Sequence, residues 1–335
     1  MGAFDLPAGM ATSVGTLPHV DPSQAAAFVL AHQPGLPAAP SLPNRSHLER
    51  RIAQAAWGVD GVRVQADGSL SLDPADIDPE ARLADPGLTG PPYAGFQGFL
   101  SAVARRSGLA KFQLTGPISL GVALAAAGLD VELAVRLAEA VVGQRARLLL
   151  DLVASRAPLV DAVVVVDEPS LAALHEDGFP VPVTRALDMV SATLAVLEPV
   201  ALTGLRPGWG SDVMLALETG PQLLVAPASE RVVVAAASLD RFLERGGWVA
   251  WAAVPTEGPV GSSVDRLWRS LSGVWCQLVR AGADPARLRA QALVLPAGGL
   301  GRHHVAQAAA ALELANDVAR RLYDQATGLR LSAGA

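Results

Sequence analysis

From about Leu109 onward, short apolar and β-branched runs alternate with longer amphipathic segments. That is the pattern of repeated βαβ units around a parallel sheet. The spacing predicts strands over residues 111–114, 162–166, 200–203, 222–226, 248–253 and 292–295. Between them, residues 131–154, 185–197, 239–245, 264–280 and 303–324 carry the apolar spacing of helices laid against a sheet. An earlier apolar run, residues 10–14, supplies a seventh strand. The expected fold is an α/β (β/α)8 TIM-like barrel. Its eighth strand must come from the irregular stretch before Leu109 or from a short strand with no signature of its own.

Residues 20–92 read differently. Asp21-Pro22 is a helix start, with Asp to cap free N–H groups and Pro preset for the first turn, and it opens Pro22–His32. A second helix is expected over 44–57. Val62-Arg63-Val64-Gln65-Ala66, the turn Asp67-Gly68 and Ser69-Leu70-Ser71-Leu72 make a hairpin pattern. Pro and Asp dominate from there to Pro92. The stretch is expected to be an excursion after the first strand, packed across one end of the barrel, within a single domain covering 1–335.

Composition narrows the function. A formal net charge of −6 and a pI near 5.5 argue against a nucleic-acid partner, which needs a basic surface to displace counterions. The apolar runs are each broken by charge or Pro before the ~18 residues of a membrane span. Met1-Gly2-Ala3-Phe4-Asp5 has neither a basic nor an apolar leader segment. A cytoplasmic protein with no membrane partner is expected, taking a small-molecule ligand or a protein partner. The single cysteine, Cys276, cannot form an internal disulfide or a thiolate-rich metal site. It is expected to be a buried structural thiol.

Functional groups of a parallel barrel sit at the carboxyl ends of its strands. Four segments there carry candidate chemistry. Thr12-Ser13-Val14-Gly15-Thr16-Leu17-Pro18-His19 brings hydroxyls and free backbone N–H groups out of the first strand. Lys111-Phe112-Gln113-Leu114-Thr115-Gly116-Pro117 holds the only lysine of the chain, either a ligand contact or a solvated residue at the strand start. Val163-Val164-Val165-Val166-Asp167-Glu168-Pro169 delivers two adjacent carboxylates, of which only one can point into the barrel. Asp167 or Glu168 is expected to bind a ligand ammonium or act as a base, the other capping the following helix. Leu295-Pro296-Ala297-Gly298-Gly299-Leu300-Gly301-Arg302-His303-His304 is a Gly-rich turn in which Gly298, Gly299, Gly301 and Arg302 are anion-binding candidates. His303 and His304 are consecutive and diverge around a helix, so they do not converge on one metal.

Together these segments resemble the cobalamin-independent methionine synthases, within the wider group that includes uroporphyrinogen decarboxylase. The shorter single-barrel actinobacterial members are the most similar. Val14-Gly15-Thr16-Leu17-Pro18 resembles the family's Ile-Gly-Ser-Phe-Pro, Leu114-Thr115-Gly116-Pro117 its Leu-Thr-Gly-Pro, and Val166-Asp167-Glu168-Pro169 its Asp-Glu-Pro. The resemblance runs from about Thr12 to about Leu322, the excursion matching least. It implies methyl transfer from methyltetrahydrofolate to the homocysteine thiol, with Thr16 and Asp167 at the amino-acid part of the substrate. Lys111, Thr115 and Glu168 complete the expected substrate-binding set, and Asp167, Glu168 and His19 are the acid–base candidates.

The family activates the thiol on zinc held by His, Cys, Glu and Cys, because coordination stabilises the thiolate. Here the His-x-Cys segment reads Ala201-Leu202-Thr203-Gly204-Leu205-Arg206. The acidic ligand's place reads Leu224-Val225-Ala226-Pro227, and the last Cys turn reads Gly298-Gly299-Leu300. A histidine expected after strand 248–253 is replaced by Pro255-Thr256-Glu257-Gly258. The sequence therefore predicts no metal and no zinc cofactor: a pseudoenzyme, or an enzyme of altered, zinc-independent chemistry on an amino acid, a pterin or a tetrapyrrole. The tetrapyrrole reading requires arginines converging on the mouth, for which Arg206 and Arg302, both expected in loops, are the candidates.

Overall fold

The computed structural model describes residues 6–80, 82–258 and 261–333, with side chains to residue 327. Residues 1–5, on which the expectation of no leader rests, lie outside them. Along the chain, β1 (Met10–Ala11) is followed by α1 (Pro22–His32), α2 (Arg51–Ala56), a hairpin of β2 (Val62–Val64) and β3 (Leu70–Leu72), and α3 (Ala94–Ala102). Then come β4 (Gly108–Thr115), α4 (Pro117–Ala126), α5 (Val131–Arg156), β5 (Val160–Glu168), α6 (Val183–Leu197), β6 (Leu202–Pro207) and α7 (Val213–Glu218). The chain ends with β7 (Leu223–Pro227), α8 (Ala236–Glu244), β8 (Trp248–Val254), α9 (Val264–Arg280), α10 (Pro285–Ala290), β9 (Ala292–Pro296) and α11 (Val305–Ala333).

Seven strands form one parallel sheet in the order β1-β9-β8-β7-β6-β5-β4. Residues 37–41 bridge the remaining gap between β4 and β1. On one side Lys111 N donates to Pro37 O and Ala39 N to Lys111 O, both at 2.8 Å. On the other, Ser41 N donates to Gly15 O at 3.1 Å and Leu17 N to Ser41 O at 3.0 Å. The segment reads Pro37-Ala38-Ala39-Pro40-Ser41. Two missing prolyl N–H groups reduce its pairing to isolated bridges.

Side-chain alternation divides the core into two layers. Val163, Val165, Leu202, Leu223, Val225 and Leu293 pack inside the barrel. Their sequence neighbours Val164, Val166, Leu224 and Val294 pack outward with the helices. Inside the wall Gly204 is confined, since a Cβ there would stand 2.9 Å from Val165 Cγ2.

The excursion carries the predicted helix start: Asp21 Oδ1 accepts from Ser23 N at 2.8 Å and Gln24 N at 2.9 Å. Its hairpin is antiparallel, with Gly68 at φ +90 in the turn. The helix expected over 44–57 is shorter: a 3-10 turn, His47–Glu49, precedes α2, and Arg50 between them is extended.

Two expectations are corrected. Cys276 is exposed, because α9 buries Leu267, Trp268, Leu271, Val274, Trp275 and Leu278 and the residue after Trp275 falls on its outer side. Arg206 belongs to a strand and not to a loop. β6 runs to Pro207 because Asp167 and Glu168 of β5 pair with Arg206 and Pro207, while Val200 is left exposed in the preceding turn. Among the described residues no helix is long and apolar enough to cross a membrane.

Candidate functional site

Parallel register sets three polar residues side by side at the carboxyl rim: Thr115 of β4 opposite Asp167 of β5, and Asp167 opposite Arg206 of β6. All three line a cavity of ≈ 810 Å³ at the barrel mouth. Thr16, Ser41, Asn44 and Gln113 add hydroxyl and amide groups to its wall, Glu49 and Arg51 enter from the excursion, and Gly299, Gly301, Arg302 and His303 from the turn after β9.

Asp167 faces the cavity with both carboxylate oxygens engaged. Oδ1 accepts from Arg206 Nη1 at 2.5 Å and Oδ2 from Arg51 Nη1 at 3.3 Å. Arg206 and Asp167 are largely buried, whereas the Arg51 side chain is 41% exposed. The Arg51 carbonyl also accepts from Thr115 Oγ1 at 2.9 Å, which ties α2 to the rim. Two guanidiniums meet one carboxylate, and a guanidinium keeps its charge at any ordinary pH. The Arg206 Nε–H is a buried donor with no acceptor among the described residues.

Glu168, the next residue, points through the wall. Its fully buried carboxylate accepts from Ile118 N at 2.8 Å, Ser119 N at 2.9 Å and the Ser119 hydroxyl. It thus caps the N-terminus of α4, the helix of the preceding unit, and not the helix after its own strand. A Cβ on Gly116 would stand 2.2 Å from Glu168 Oε2, so only glycine leaves room for this approach. Burial pushes the Glu168 pKa up to about 7 against the pull of these hydrogen bonds.

Lys111 is neither solvated nor at the strand start. β4 begins three residues earlier, placing Lys111 in the inward-facing row of Leu109, Gln113 and Thr115. It is 2% exposed, and Nζ donates to Gln113 Oε1 at 3.2 Å and Val14 O at 3.3 Å beneath the cavity. Burial lowers its pKa to about 7, with the Asp167 charge opposing the shift and Arg206 adding to it.

Thr16 lines the mouth: its hydroxyl accepts from Ser41 Oγ at 3.2 Å and its carbonyl from Leu300 N at 2.8 Å. Arg302 is exposed at the rim. Gly298 sits outside the cavity wall against Thr256, where a Cβ would lie 2.7 Å from Oγ1. His303 lines the cavity and its Nε2 is 3.0 Å from Thr256 O. His19 is not part of the wall. Its ring packs on Phe28 of α1 at 4.6 Å, and burial lowers its pKa.

Sequence reasoning missed Glu49. Its buried carboxylate accepts from Leu42 N at 2.8 Å and Arg45 Nη1 at 3.3 Å, and burial raises its pKa to about 7. Nothing in its local pattern marks it, since the contact depends on how the excursion folds back. Trp209 was also missed. It stands 44% exposed after β6, under the Arg206 guanidinium at 6.0 Å.

The strand ends that would hold a metal carry poor donors. β6 ends in Arg206-Pro207, β7 in Ala226-Pro227, and the turn after β9 is Gly298-Gly299-Leu300. Among the described residues no group of three or more His, Cys, Asp or Glu side chains could hold a metal ion. This donor set does not fit zinc, which takes imidazole, thiolate and carboxylate ligands in tetrahedral array.

At the level of sequence, no family model and no curated protein matches the chain. Solved structures do match in shape. A B12-independent methionine synthase from Shewanella sp. W3-18-1, solved in complex with selenomethionine, superposes with a TM-score of 0.57 at 10% identity, over 96% of this chain and 99% of that one. A putative vitamin-B12 independent methionine synthase from Listeria monocytogenes superposes with a TM-score of 0.58 at 11% identity, over 91% of this chain and 85% of the other. The chain therefore has the barrel fold of the B12-independent methionine synthases.

Proposed function

We propose that this chain is a methionine-synthase-like barrel that binds a small ligand at its mouth and does not activate a thiol on zinc. The observation carrying this reading is Arg206. At the strand end where the resemblance requires a thiolate or imidazole ligand, a guanidinium reaches across to Asp167. A fixed positive charge there repels a divalent cation, and the neighbouring strand end offers only Ala226 and Pro227. No ligand set remains to hold zinc, so a thiol bound in the cavity has no metal to stabilise its thiolate. The same reading places the protein in the cytoplasm, with no nucleic-acid or membrane partner.

Methyl transfer from methyltetrahydrofolate to homocysteine, assayed with zinc supplied, tests the proposal. Product formation at the no-enzyme background is expected. Zinc-dependent turnover would restore the family reaction.

A second reading, an acid–base enzyme that works without zinc, is favoured by Glu49, whose carboxyl titrates near neutrality in the cavity wall. If turnover of any amino acid, pterin or tetrapyrrole is found, Glu49→Gln should abolish its pH dependence near 7. An unchanged profile removes Glu49 from the chemistry.

A further inference from the structure

The mouth is more specific about its ligand than a generic cavity. Asp167 is the cavity's carboxylate at the strand ends, and Arg206 and Arg51 hold its two oxygens. An incoming ammonium therefore meets a carboxylate already shared by two guanidiniums. The other acids do not replace it: Glu49 is tied to Arg45 and Leu42 N, Asp67 accepts from Ser69 in its own turn, and Glu257 lies exposed in water at the rim. An ion pair in that setting is weak.

Donors, by contrast, are in excess. One guanidinium charge is left over from the Arg51–Asp167–Arg206 group, and the Arg206 Nε–H is buried without an acceptor. A buried unsatisfied donor is costly, and an ionised oxygen is the partner that relieves it most. Arg302 lines the same cavity with no hydrogen bond or ion pair to another described residue.

A second chamber adjoins the first. It has a volume of ≈ 490 Å³, shares Thr256 and Glu257 with the polar cavity, and is walled by Trp209, Pro227, Ala252, Ala253 and Ala297. Trp209 lies against Arg206, so the unpaired donor and the apolar wall are neighbours.

We propose that the mouth takes a small organic carboxylate without an α-ammonium group, its carboxylate on Arg206 and its apolar body against Trp209. The proposal rests on reading the mouth as a ligand site and adds the ligand class. The carboxylate pairs with the Arg206 guanidinium and balances the surplus charge. An α-ammonium on the same body brings a positive charge beside two guanidiniums that already share the Asp167 carboxylate.

Calorimetric titration of the full chain with matched pairs tests this. Methionine and 4-(methylthio)butanoate differ only in the ammonium, as do phenylalanine and 3-phenylpropanoate, and inorganic phosphate serves as the bare anion. In at least one pair the carboxylate should bind about ten-fold or more tighter than its amino acid, and tighter than phosphate. Trp209→Ala should weaken that binding about ten-fold, and Arg206→Met should abolish it. Trp209 is half-exposed, so its variant remains informative if Arg206→Met fails to fold. Equal or tighter binding of the amino acids overturns the proposal, as does binding of neither member of either pair. So does carboxylate binding that Trp209→Ala leaves unchanged. None of these outcomes bears on zinc-dependent methyl transfer, whose assay separately decides the reading beneath.

Discussion

Asp167 and Glu168 are consecutive on β5 and serve opposite sides of the barrel wall. Asp167 lies at the mouth between Arg206 and Arg51, and Glu168 is fully buried outside it on the N-terminus of α4. Strand alternation dictates this division. The motif that looks like a pair of catalytic acids is thus one cavity carboxylate and one structural cap.

The cap carries stability. Glu168→Ala leaves the Ile118 and Ser119 N–H groups buried without acceptors, and a loss of about 3–5 kcal/mol is expected in urea unfolding. Gly116→Ala, which drives a methyl into the same carboxylate, should cost about 2–4 kcal/mol. The pH dependence follows from the raised pKa. Between the ordinary value of 4.5 and about 7 the folded protein holds a proton on Glu168 that the unfolded chain releases. That contribution is complete below 4.5 and lost as pH rises through about 7. Glu49 adds a loss of the same sign over the same interval. Glu168→Gln should flatten the decline, leaving the Glu49 part. An unchanged slope contradicts the assignment.

Lys111 gives the opposite dependence. Its folded pKa is depressed from 10.5 to about 7, so its contribution is complete above 10.5 and is lost as pH falls to about 7, below which both states are protonated. Lys111→Met should remove this slope. The variant should be more stable than the parent by about 1–3 kcal/mol at neutral pH and no more stable near 10.5. Unfolding curves at both ends of the interval check this. A constant difference contradicts it.

The two arginines on Asp167 differ in environment and should differ in worth. Double-mutant cycles with Asp167→Asn should give a coupling of about 2 kcal/mol for the largely buried Arg206 and below about 1 kcal/mol for the more exposed Arg51. Equal couplings, or the reverse order, contradict this geometry.

The barrel was legible because its strands announce themselves. The β-branched run ending at Val166 and the apolar runs of β7, β8 and β9 are buried where the pattern puts them. Thr16, Thr115, Asp167 and Arg302 come together at the mouth, as expected of strand-end residues. Closure was not legible, because residues 37–41 bond to their neighbours mainly through backbone groups and contain two prolines. Nor was the partner of Asp167. Arg51 comes from 116 residues away, and no local spacing encodes such a contact. Arg206 was misplaced because Gly204 and Pro207 dilute the strand signal of β6. For Cys276 a general tendency of thiols to be buried was set against the helical periodicity of its own neighbours, and the periodicity wins.

The central claim is that the mouth holds no zinc because its strand ends supply a guanidinium, an alanine, a proline and glycines in place of ligands. Measuring zinc per chain after expression in zinc-supplemented medium and extensive dialysis tests it most directly. The account predicts well below about 0.1 equivalent, given that tetrahedral zinc sites hold their ion far too tightly to lose it on dialysis. About one equivalent, retained by the native chain and lost on Asp167→Asn, would contradict it.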